Sequence, residues 1–304
     1  METVLVTGSS GFIGSHVVEE LSRRGYHVVT FDIYDNPLED VRDIKAVRHY
    51  MKNVDYCLHL AANPYIPYGY EHPNEFFDTN ATGTLNILNA ARDEDVRVVY
   101  WSTSEVYGTA EDPQKPMNED HRIRPHSTYA LAKYAGDGLC FTYFKEHELD
   151  VTIMRQFNCY GPKETWPYVI PEIISQLHNG THLTLGNVNA ERDFTYVEDA
   201  ARAGVDVMEC PHLTGQIVNC GSGMTWSIAQ LATMLGNIMH PGKVISIDVD
   251  RGRLRPYDVD RLLCDNRKLR FMTGWEPEVG VMDGLRRTVD WFTENGCKWN
   301  YRVM

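Results

Sequence analysis

Residues 4–14 read VLVTGSSGFIG, and this stretch decides the fold class. Its first four residues form an apolar, β-branched run that predicts a short buried strand over 4–7. Gly8, Gly11 and Gly14 follow, and the apolar pattern after them predicts a helix over 12–24. A strand, a glycine-rich turn and a helix in this order are typical of the first unit of a dinucleotide-binding α/β fold.

Short apolar runs alternate with helical stretches through the rest of the first half of the chain. We expect strands at 28–32, 56–60, 96–102 and 151–155, and helices near 43–51, 77–92 and 129–146. This alternation predicts an α/β fold with a Rossmann-type, doubly wound parallel sheet that helices cover on both faces.

The pattern changes after Pro162. Gly and Pro there separate helices near 167–178, 197–209, 227–237 and 279–295 and a strand at 183–185. We therefore expect a dinucleotide-binding domain over residues 1–162, with returning segments near 197–220. A smaller, interleaved C-terminal lobe over residues 163–304 is expected to bind the substrate.

Composition narrows the possible functions. The chain has 304 residues, 43% of them hydrophobic and 23% charged, as in ordinary soluble proteins. A net charge of −13 argues against a nucleic-acid partner, and no run approaches the roughly 18 apolar residues of a membrane helix. The first residues lack a basic leader, which predicts a cytoplasmic protein. Seven scattered cysteines without a C-x-x-C pair predict neither a disulfide framework nor a metal site.

The second predicted strand ends on an acid, Asp32. A carboxylate there can accept hydrogen bonds from both ribose hydroxyls of a dinucleotide, and it would repel a 2′-phosphate. The amide dipoles at the start of the first helix favour the negative pyrophosphate. The predicted cofactor is therefore NAD, which this position favours over NADP.

A candidate acid–base pair stands on the fourth predicted helix. Tyr129 and Lys133 are four residues apart and share one helical face. A free tyrosine titrates near pH 10, but a neighbouring ammonium, together with the positive nicotinamide, would lower its pKa toward neutrality. Residues 101–108, WSTSEVYG, begin where a strand ends, which is where α/β sheets bind ligands. The Thr103 hydroxyl can donate a hydrogen bond to the substrate oxygen on the carbon that is oxidised. Glu105 supplies a second base beside it.

Together these motifs resemble the extended short-chain dehydrogenases, specifically the nucleotide-sugar epimerase/dehydratase family. The likeness continues through residues 155–162 (RQFNCYGP), 192–199 (RDFTYVED) and 253–256 (RLRP), and so covers nearly the whole chain. The resemblance implies an NAD-dependent enzyme whose substrate is a nucleotide-diphosphate sugar. One departure stands out: the segment between Ile33 and Asp40 is shorter than the family usually has, so the usual third strand is expected to be truncated or absent.

The resemblance also implies the residues of each site. The catalytic residues would be Thr103, Ser104, Glu105, Tyr129 and Lys133. The cofactor would contact Gly8, Ser10, Gly11, Phe12, Ile13, Gly14, Asp32, Asp40, Val41, Leu60, Ala61, Ala62, Ser102, Tyr129, Lys133 and Phe157. The nucleotide sugar would contact Asn158, Val169, Arg192 and Arg255, with the two arginines on its diphosphate.

Three reactions share the same opening step in this family, the oxidation of the sugar at C4. A 4,6-dehydratase then removes the C5 proton and expels the 6-hydroxyl as water, a 4-epimerase returns the hydride to the other face, and a decarboxylase releases carbon dioxide. Glu105 favours the dehydratase over the epimerase, because removal of the C5 proton needs a second base. Decarboxylases of the family can show the same Ser-Thr-Ser-Glu stretch, so Glu105 does not separate them from the dehydratase. Ser104 stands where the dTDP-glucose branch has an acidic aspartate, which argues against that branch.

Two further hypotheses concern assembly and a function without catalysis. Many family members dimerise through the helix that carries the Tyr/Lys pair and the helix before it, so a homodimer is expected. The apolar residues proposed for that surface are Ala90, Ala91, Leu139, Phe141, Tyr143 and Phe144. An NAD-sensing scaffold on the same fold is the alternative to an enzyme; such scaffolds typically lose the Tyr129/Lys133 pair, which is present here.

Overall fold

A computed structural model describes residues 1–164, 167–254 and 259–296. Strands and helices alternate in the first half of the chain, as predicted. The elements are β1 (Thr3–Thr7), α1 (Phe12–Arg24), β2 (His27–Phe31), α2 (Ile44–Tyr50), β3 (Tyr56–His59), α3 (Ile66–Gly69), α4 (Pro73–Phe77), α5 (Gly83–Glu94), β4 (Arg97–Thr103), α6 (Thr128–His147) and β5 (Val151–Gln156). The helix predicted near 77–92 is interrupted, because a π-helical turn, Asp78–Thr82, joins α4 to α5.

The second half of the chain is built from shorter pieces. They are β6 (Asn158–Tyr160), α7 (Val169–His178), β7 (His182–Leu185), β8 (Glu191–Tyr196), α8 (Val197–Met208), β9 (Ile217–Cys220), β10 (Thr225–Ser227), α9 (Ile228–Met239), β11 (Ser246–Val249), β12 (Arg261–Leu262), α10 (Arg267–Thr273) and α11 (Val281–Asn295). Of these strands the sequence predicted only β7, since the others are short or half-polar.

A six-stranded parallel sheet forms the main layer, in the order β2-β1-β3-β4-β5-β9. Successive residues of one strand face opposite sides. Trp101 packs with α1 and α8, whereas its neighbour Tyr100 packs with α2, α5 and α6. Because both faces are covered, every residue of β4 is buried. The predicted α/β fold with a doubly wound parallel sheet is confirmed.

A second group of elements lies beyond the carboxyl ends of these strands. It contains a small sheet of β6, β8, β10 and β12 and a β7–β11 pair. A separate apolar core joins α7, α9 and α11 to these strands. Helix α8 and strand β9 return to the six-stranded sheet, so the chain crosses between the two layers more than once. The division at residues 162 and 163 stays a prediction.

No strand forms between β2 and β3, where residues 32–43 make turns that lead into α2. The expected loss of the third strand is therefore confirmed, and β2 becomes an edge of the sheet. Glu39 takes part in closing this turn: its Oε2 accepts the backbone N–H of Asp32 at 2.9 Å, and its Oε1 accepts the Tyr50 hydroxyl at 2.7 Å. Across the described ranges, no helix has the length and apolar character needed to cross a membrane.

The surface proposed for dimerisation is wrong in three of its six residues. Ala90 and Ala91 are fully buried and Tyr143 is 9% exposed, while Leu139 and Phe144 are partly buried against the chain's own core. These side chains face inward because α5 and α6 cover one side of the sheet. Phe141 alone of the proposed set is exposed.

Candidate functional site

A cavity of about 1190 Å³ opens over the carboxyl ends of β1, β3, β4 and β5 and continues to the second layer. This is the edge of a parallel sheet at which α/β proteins bind ligands. Its walls contain most of the predicted site residues: Gly8, Gly11, Phe12, Ile13, Gly14, Asp32, Asp40, Val41, Leu60, Ala61, Ala62, Ser102, Thr103, Glu105, Tyr129, Lys133, Phe157, Asn158, Val169 and Arg192.

The glycine turn after β1 leaves no room for side chains. Gly8 has φ +71°, and a Cβ there would lie 2.8 Å from the Ala61 backbone nitrogen. A Cβ on Gly14 would lie 1.9 Å from the Gly8 carbonyl oxygen. Helix α1 begins after Gly11, which has no side chain to cap its first amides. The turn therefore offers backbone N–H groups to an anion such as a pyrophosphate, and its residues fit a dinucleotide.

Asp32 is held at the carboxyl end of β2 by two backbone amides. Its Oδ2 accepts the N–H of Ser10 and its Oδ1 accepts the N–H of Tyr34, each at 2.9 Å. Burial, assisted by the charges of Asp35 and Glu39, raises the pKa of Asp32. Each carboxylate oxygen accepts one of these hydrogen bonds and can accept another, and Asp32 lines the cavity, so it can still accept a ribose diol.

Two predicted residues stand off the cavity wall. Ser10 is exposed, and its hydroxyl donates to Asp35 instead. Ser104 lies in the short 3₁₀ turn after β4 and is buried at 2% exposure away from the cavity lining. Asp40 does line the cavity, but its carboxylate pairs with Arg42 at 2.7 Å, which lowers the pKa of Asp40 against the effect of burial. Arg255 lies outside the described residues.

The candidate catalytic groups meet at the carboxyl end of β4. Helix α6 begins with Ser127 as its N-cap, whose hydroxyl accepts the N–H of Ala130, and this fixes Tyr129 and Lys133 over the strand. The Thr103 hydroxyl accepts the backbone N–H of Glu105 at 3.2 Å, and both residues act on the pKa of Tyr129. Thr103, Glu105 and Tyr129 thus form one connected group on the cavity wall.

Burial dominates the acid–base properties of this pair. It raises the pKa of Tyr129 to about 12, a rise that the Thr103 hydrogen bond opposes and the charge of Glu105 assists. Burial also lowers the pKa of Lys133 to about 8, while Asp137 opposes that change. In the chain alone Tyr129 is therefore a phenol at neutral pH. The expected lowering of its pKa is not a property of the protein by itself and requires a cation in the cavity.

Sequence reasoning missed several residues of the wall, among them Asn63, Gln156 and Arg253. Asn63 is fixed by Asn80, which is fully buried in the π-helical turn: Asn80 accepts the N–H of Asn63 at 2.7 Å and donates to its carbonyl at 3.0 Å. π-Helical turns are rare and often lie at functional sites. The asparagine in the predicted helix was visible in the sequence, but its partner 17 residues away was not.

The model of the GDP-mannose 4,6-dehydratase family matches residues 5–288. The chain belongs to this family. The resemblance to the extended short-chain dehydrogenases is thereby confirmed, and with it the prediction of an enzyme from the NAD-dependent nucleotide-sugar dehydratases and epimerases.

Relatives within the family are named for three different reactions. The UDP-N-acetyl-alpha-D-glucosaminuronate decarboxylase of Bacillus cytotoxicus is 33% identical over 95% of this chain and 97% of its own length. The dTDP-D-glucose 4,6-dehydratase of Mus musculus is 30% identical over 97% of this chain and 90% of its own. The UDP-glucuronate 4-epimerase of Thermodesulfobacterium geofontis is 30% identical over 96% of each. Similarity therefore establishes the family and leaves the reaction open.

Solved structures of similar enzymes share the fold over nearly the whole chain. The UDP-glucose 4-epimerase of Thermotoga maritima, solved with UDP-glucose, has a TM-score of 0.87 at 28% identity, covering 96% of this chain and 99% of that one. The dTDP-glucose 4,6-dehydratase of Streptomyces venezuelae, solved with NAD bound, has a TM-score of 0.86 at 29% identity, covering 96% and 97%. The predicted NAD cofactor is confirmed at the level of the family.

Proposed function

We propose that the chain is an NAD-dependent nucleotide-sugar 4,6-dehydratase. The observation that carries the proposal is the position of Glu105. Its side chain lines the cavity, and its charge assists the rise in the pKa of Tyr129. Elimination of water across C5 and C6 needs a base besides the tyrosine, whereas inversion at C4 does not. A carboxylate beside Thr103 and Tyr129 supplies that base.

The cofactor in this proposal is NAD. When bound, NAD supplies the acceptor and the donor of the hydride that leaves C4 and returns at C6. Gly8 and Gly14 permit the close backbone approach that its pyrophosphate needs. Asp32 lies near Asp35 and Glu39, both of which assist the rise in its pKa. A 2′-phosphate would meet three negative groups there, so NADP is disfavoured.

The chain's own residues divide the proton transfers. Tyr129 accepts the proton of the C4 hydroxyl, with Thr103 hydrogen-bonded to the same site, and Lys133 stabilises the resulting negative charge. Glu105 removes the C5 proton. Because Ser104 lies away from the cavity, no acid follows Thr103 directly, and Glu105 also delivers a proton to the departing C6 hydroxyl. Glu105 thus passes the C5 proton to the departing hydroxyl, water leaves, and the carboxylate ends with its charge unchanged. Return of hydride at C6 would then require one proton at C5, and the proton that Tyr129 accepted from the C4 hydroxyl balances it.

The substrate in this proposal is a nucleotide-diphosphate sugar. Asn158, Val169 and Arg192 line the same cavity as the glycine turn and would hold it, and the predicted Arg255 would join them on the diphosphate. Arg253, half-exposed on the same wall, adds a cation next to Glu172, whose Oε1 it contacts at 2.8 Å. These contacts are proposals about the nucleotide end and leave the base open.

Decarboxylation of a nucleotide uronate is the second candidate. The relative with 33% identity is a nucleotide-uronate decarboxylase, and that reaction also begins with oxidation at C4. Mass spectrometry distinguishes the candidates when the purified protein is incubated with NAD and UDP-N-acetylglucosamine, GDP-mannose, dTDP-glucose or UDP-glucuronate. A product lighter by one water supports the dehydratase. Loss of carbon dioxide from UDP-glucuronate, or an isomer of unchanged mass, would replace it.

The role of Glu105 has its own test. Glu105→Gln removes the base but keeps the shape of the side chain, so C4 oxidation should proceed while release of water falls by about 10²- to 10⁴-fold. Glu111→Gln, in the exposed loop that follows, is the matched control and should behave as the parent chain. If Glu105→Gln releases water at the parent rate, the proposed division of roles is incorrect.

We also propose a homodimer, now on a corrected surface. Leu131, Tyr134 and Phe141 are 47%, 40% and 54% exposed along α6, and their spacing places them on one outward face of the helix. An exposed apolar stripe of this kind is often covered by a second chain. Sedimentation at micromolar concentration should give twice the chain mass, and a monomer would refute the assembly.

A further inference from the structure

Two buried charged residues below the catalytic pair have no part in the proton transfers described above. Asp137 follows Lys133 by four residues on α6 and lies on the same helical face. Arg155, on β5, donates from Nε to Asp137 Oδ2 at 2.9 Å, and both side chains are 3% exposed. Buried ion pairs are costly to form, so a pair retained beneath a reactive group invites a functional explanation.

We propose that Asp137, held in place by Arg155, is a positioning residue that keeps the Lys133 ammonium charged beside Tyr129. The proposal rests on the function above, in which Lys133 must carry its charge to stabilise the tyrosinate. Helix α6 places three of these residues four positions apart on one face: the base Tyr129, the cation Lys133 and the counter-ion Asp137.

The surroundings of Lys133 show why it needs a counter-ion. Its side chain is 2% exposed, and its Nζ lies 4.2 Å from the centroid of the Tyr100 ring. The Tyr100 hydroxyl donates to the Lys133 carbonyl at 3.1 Å, which holds this ring under the helix. An aromatic face attracts a cation but does not replace the water lost on burial. The pKa of Lys133, already lowered to about 8, would fall further without a nearby negative charge.

The other titratable groups near this lysine provide no such charge. Burial lowers the pKa of His59 to about 3, so the imidazole is neutral between the Thr7 and Thr84 hydroxyls. Burial raises the pKa of Cys140 well above its usual range, and that of Tyr100 likewise. Burial also raises the pKa of Asp137, and the Arg155 guanidinium opposes that rise. The groups that interact with Lys133 are His59 from β3, Tyr100 from β4, and Asp137 and Cys140 from α6. Arg155, from β5, is paired with Asp137, and Tyr129 lies one helical turn before Lys133.

Arg155 is itself held in place by contacts unrelated to the cavity. Its guanidinium carbon lies 4.8 Å from the centroid of the Tyr107 ring, and the Tyr107 hydroxyl donates to Asn219 Oδ1 at 2.7 Å. The Ser102 hydroxyl, like Arg155, opposes the rise in the pKa of Asp137. Arg155 binds Oδ2 of Asp137, and the charge of the carboxylate still acts on Lys133 through a dry interior.

The test is a direct titration of Lys133 in the full chain, followed by NMR of lysine Nζ and assigned with Lys133→Met. In Asp137→Asn the pKa of Lys133 should fall by about 1 to 2 pH units, the usual effect of one nearby charge. Asp137→Glu should restore it. The double variant Asp137→Asn/Arg155→Gln leaves no unpaired charge at this pair. The pKa of Lys133 should fall in it too, but by less than in Asp137→Asn. It serves as the test if Asp137→Asn does not fold.

A purely structural role would give a different result. In that case the variants would melt at lower temperature while the pKa of Lys133 stayed where it is in the parent chain, and the proposal would be overturned. With a substrate from the panel above, the alkaline limb of the kcat–pH profile should move to lower pH in Asp137→Asn, because Lys133 loses its proton earlier. KM should stay unchanged. If no substrate turns over, the proposed function fails, but the Lys133 titration still decides this proposal.

Discussion

The substitution Gly14→Ala tests the cofactor site where the structure is tightest. A Cβ at this position would lie 1.9 Å from the Gly8 carbonyl oxygen, 2.8 Å from the Gly8 carbonyl carbon and 3.1 Å from the Ser9 Cα. Nonbonded carbon atoms ordinarily stay about 3.5–4.0 Å apart. All three neighbours are backbone atoms that cannot rotate away, so either helix α1 or the turn after β1 must move.

The expected magnitude follows from that displacement. Forcing an extra carbon into a well-packed site typically costs about 1–3 kcal/mol. Because the turn and the start of α1 would hold the pyrophosphate, we expect their displacement to weaken NAD binding by a similar amount. A loss of about 1–3 kcal/mol corresponds to a Kd for NAD about 5 to 150 times larger.

Calorimetric titration of the cofactor-free protein with NAD measures this directly. Gly138→Ala is the matched control, because the same methyl group in the interior of α6 meets no atom within 4 Å. That variant should keep the parent Kd and gain about 0.5–1 kcal/mol of stability from helix propensity. If Gly14→Ala binds NAD as tightly as the parent chain, the turn does not hold the dinucleotide and the cofactor assignment is refuted.

Three further predictions test the base, the cofactor choice and the second layer. Tyr129→Phe should lower kcat about 10²- to 10⁴-fold with unchanged NAD affinity. The control Tyr134→Phe, on the exposed face of α6, should leave kcat unchanged. Equal kcat values for the two variants would remove Tyr129 from the mechanism. Asp32→Ser should lower the preference for NAD over NADP about tenfold or more, the ratio that 1.4 kcal/mol represents. The Kd values for NAD and NADP measure this preference, and the exposed Asp35→Asn should change it less. Asp193→Asn should lower the free energy of unfolding, measured in urea, by about 1–3 kcal/mol. The reason is that the Asp193 carboxylate accepts hydrogen bonds from the Ser222 N–H and hydroxyl and from the Gly223 and Cys264 amides. An unchanged unfolding midpoint would contradict this.

Much of the main sheet could be predicted because its signals are local. Buried parallel strands such as β4 and β5 contain short runs rich in apolar and β-branched residues, and the glycine turn and the Tyr129/Lys133 pair each lie within a few residues. The parts that were missed depend on distant partners. Strand β9 has four residues and becomes a strand only by pairing with β5. The Asn63–Asn80 bond joins a loop to a π-helical turn, and no sequence period announces such a turn.

The dimer surface failed for a related reason. Apolar residues recur on both sides of α6, and the sequence does not say which side meets the sheet. Tyr143 is turned inward, where its hydroxyl donates to Asn89 at 2.8 Å. Phe141, two residues earlier, points to solvent. The burial of Ser104 was equally hidden, because the 3₁₀ turn that follows β4 alternates side chains between the cavity and the interior.

Because no strand forms between β2 and β3 along the chain, β2 is an edge strand to which a further strand could be added. Its outer backbone groups have no neighbouring strand, and the turn over residues 32–43 that replaces one lies at the molecular surface. Unpaired edges recruit other strands, but β2 has five residues and exposes His27 and Thr30, which limits accidental pairing. A strand engineered into the segment after Tyr34 could extend the sheet there without changing the register of β1 to β5. The shortened segment is therefore also a natural insertion point for building new contacts around the adenosine end of a cofactor.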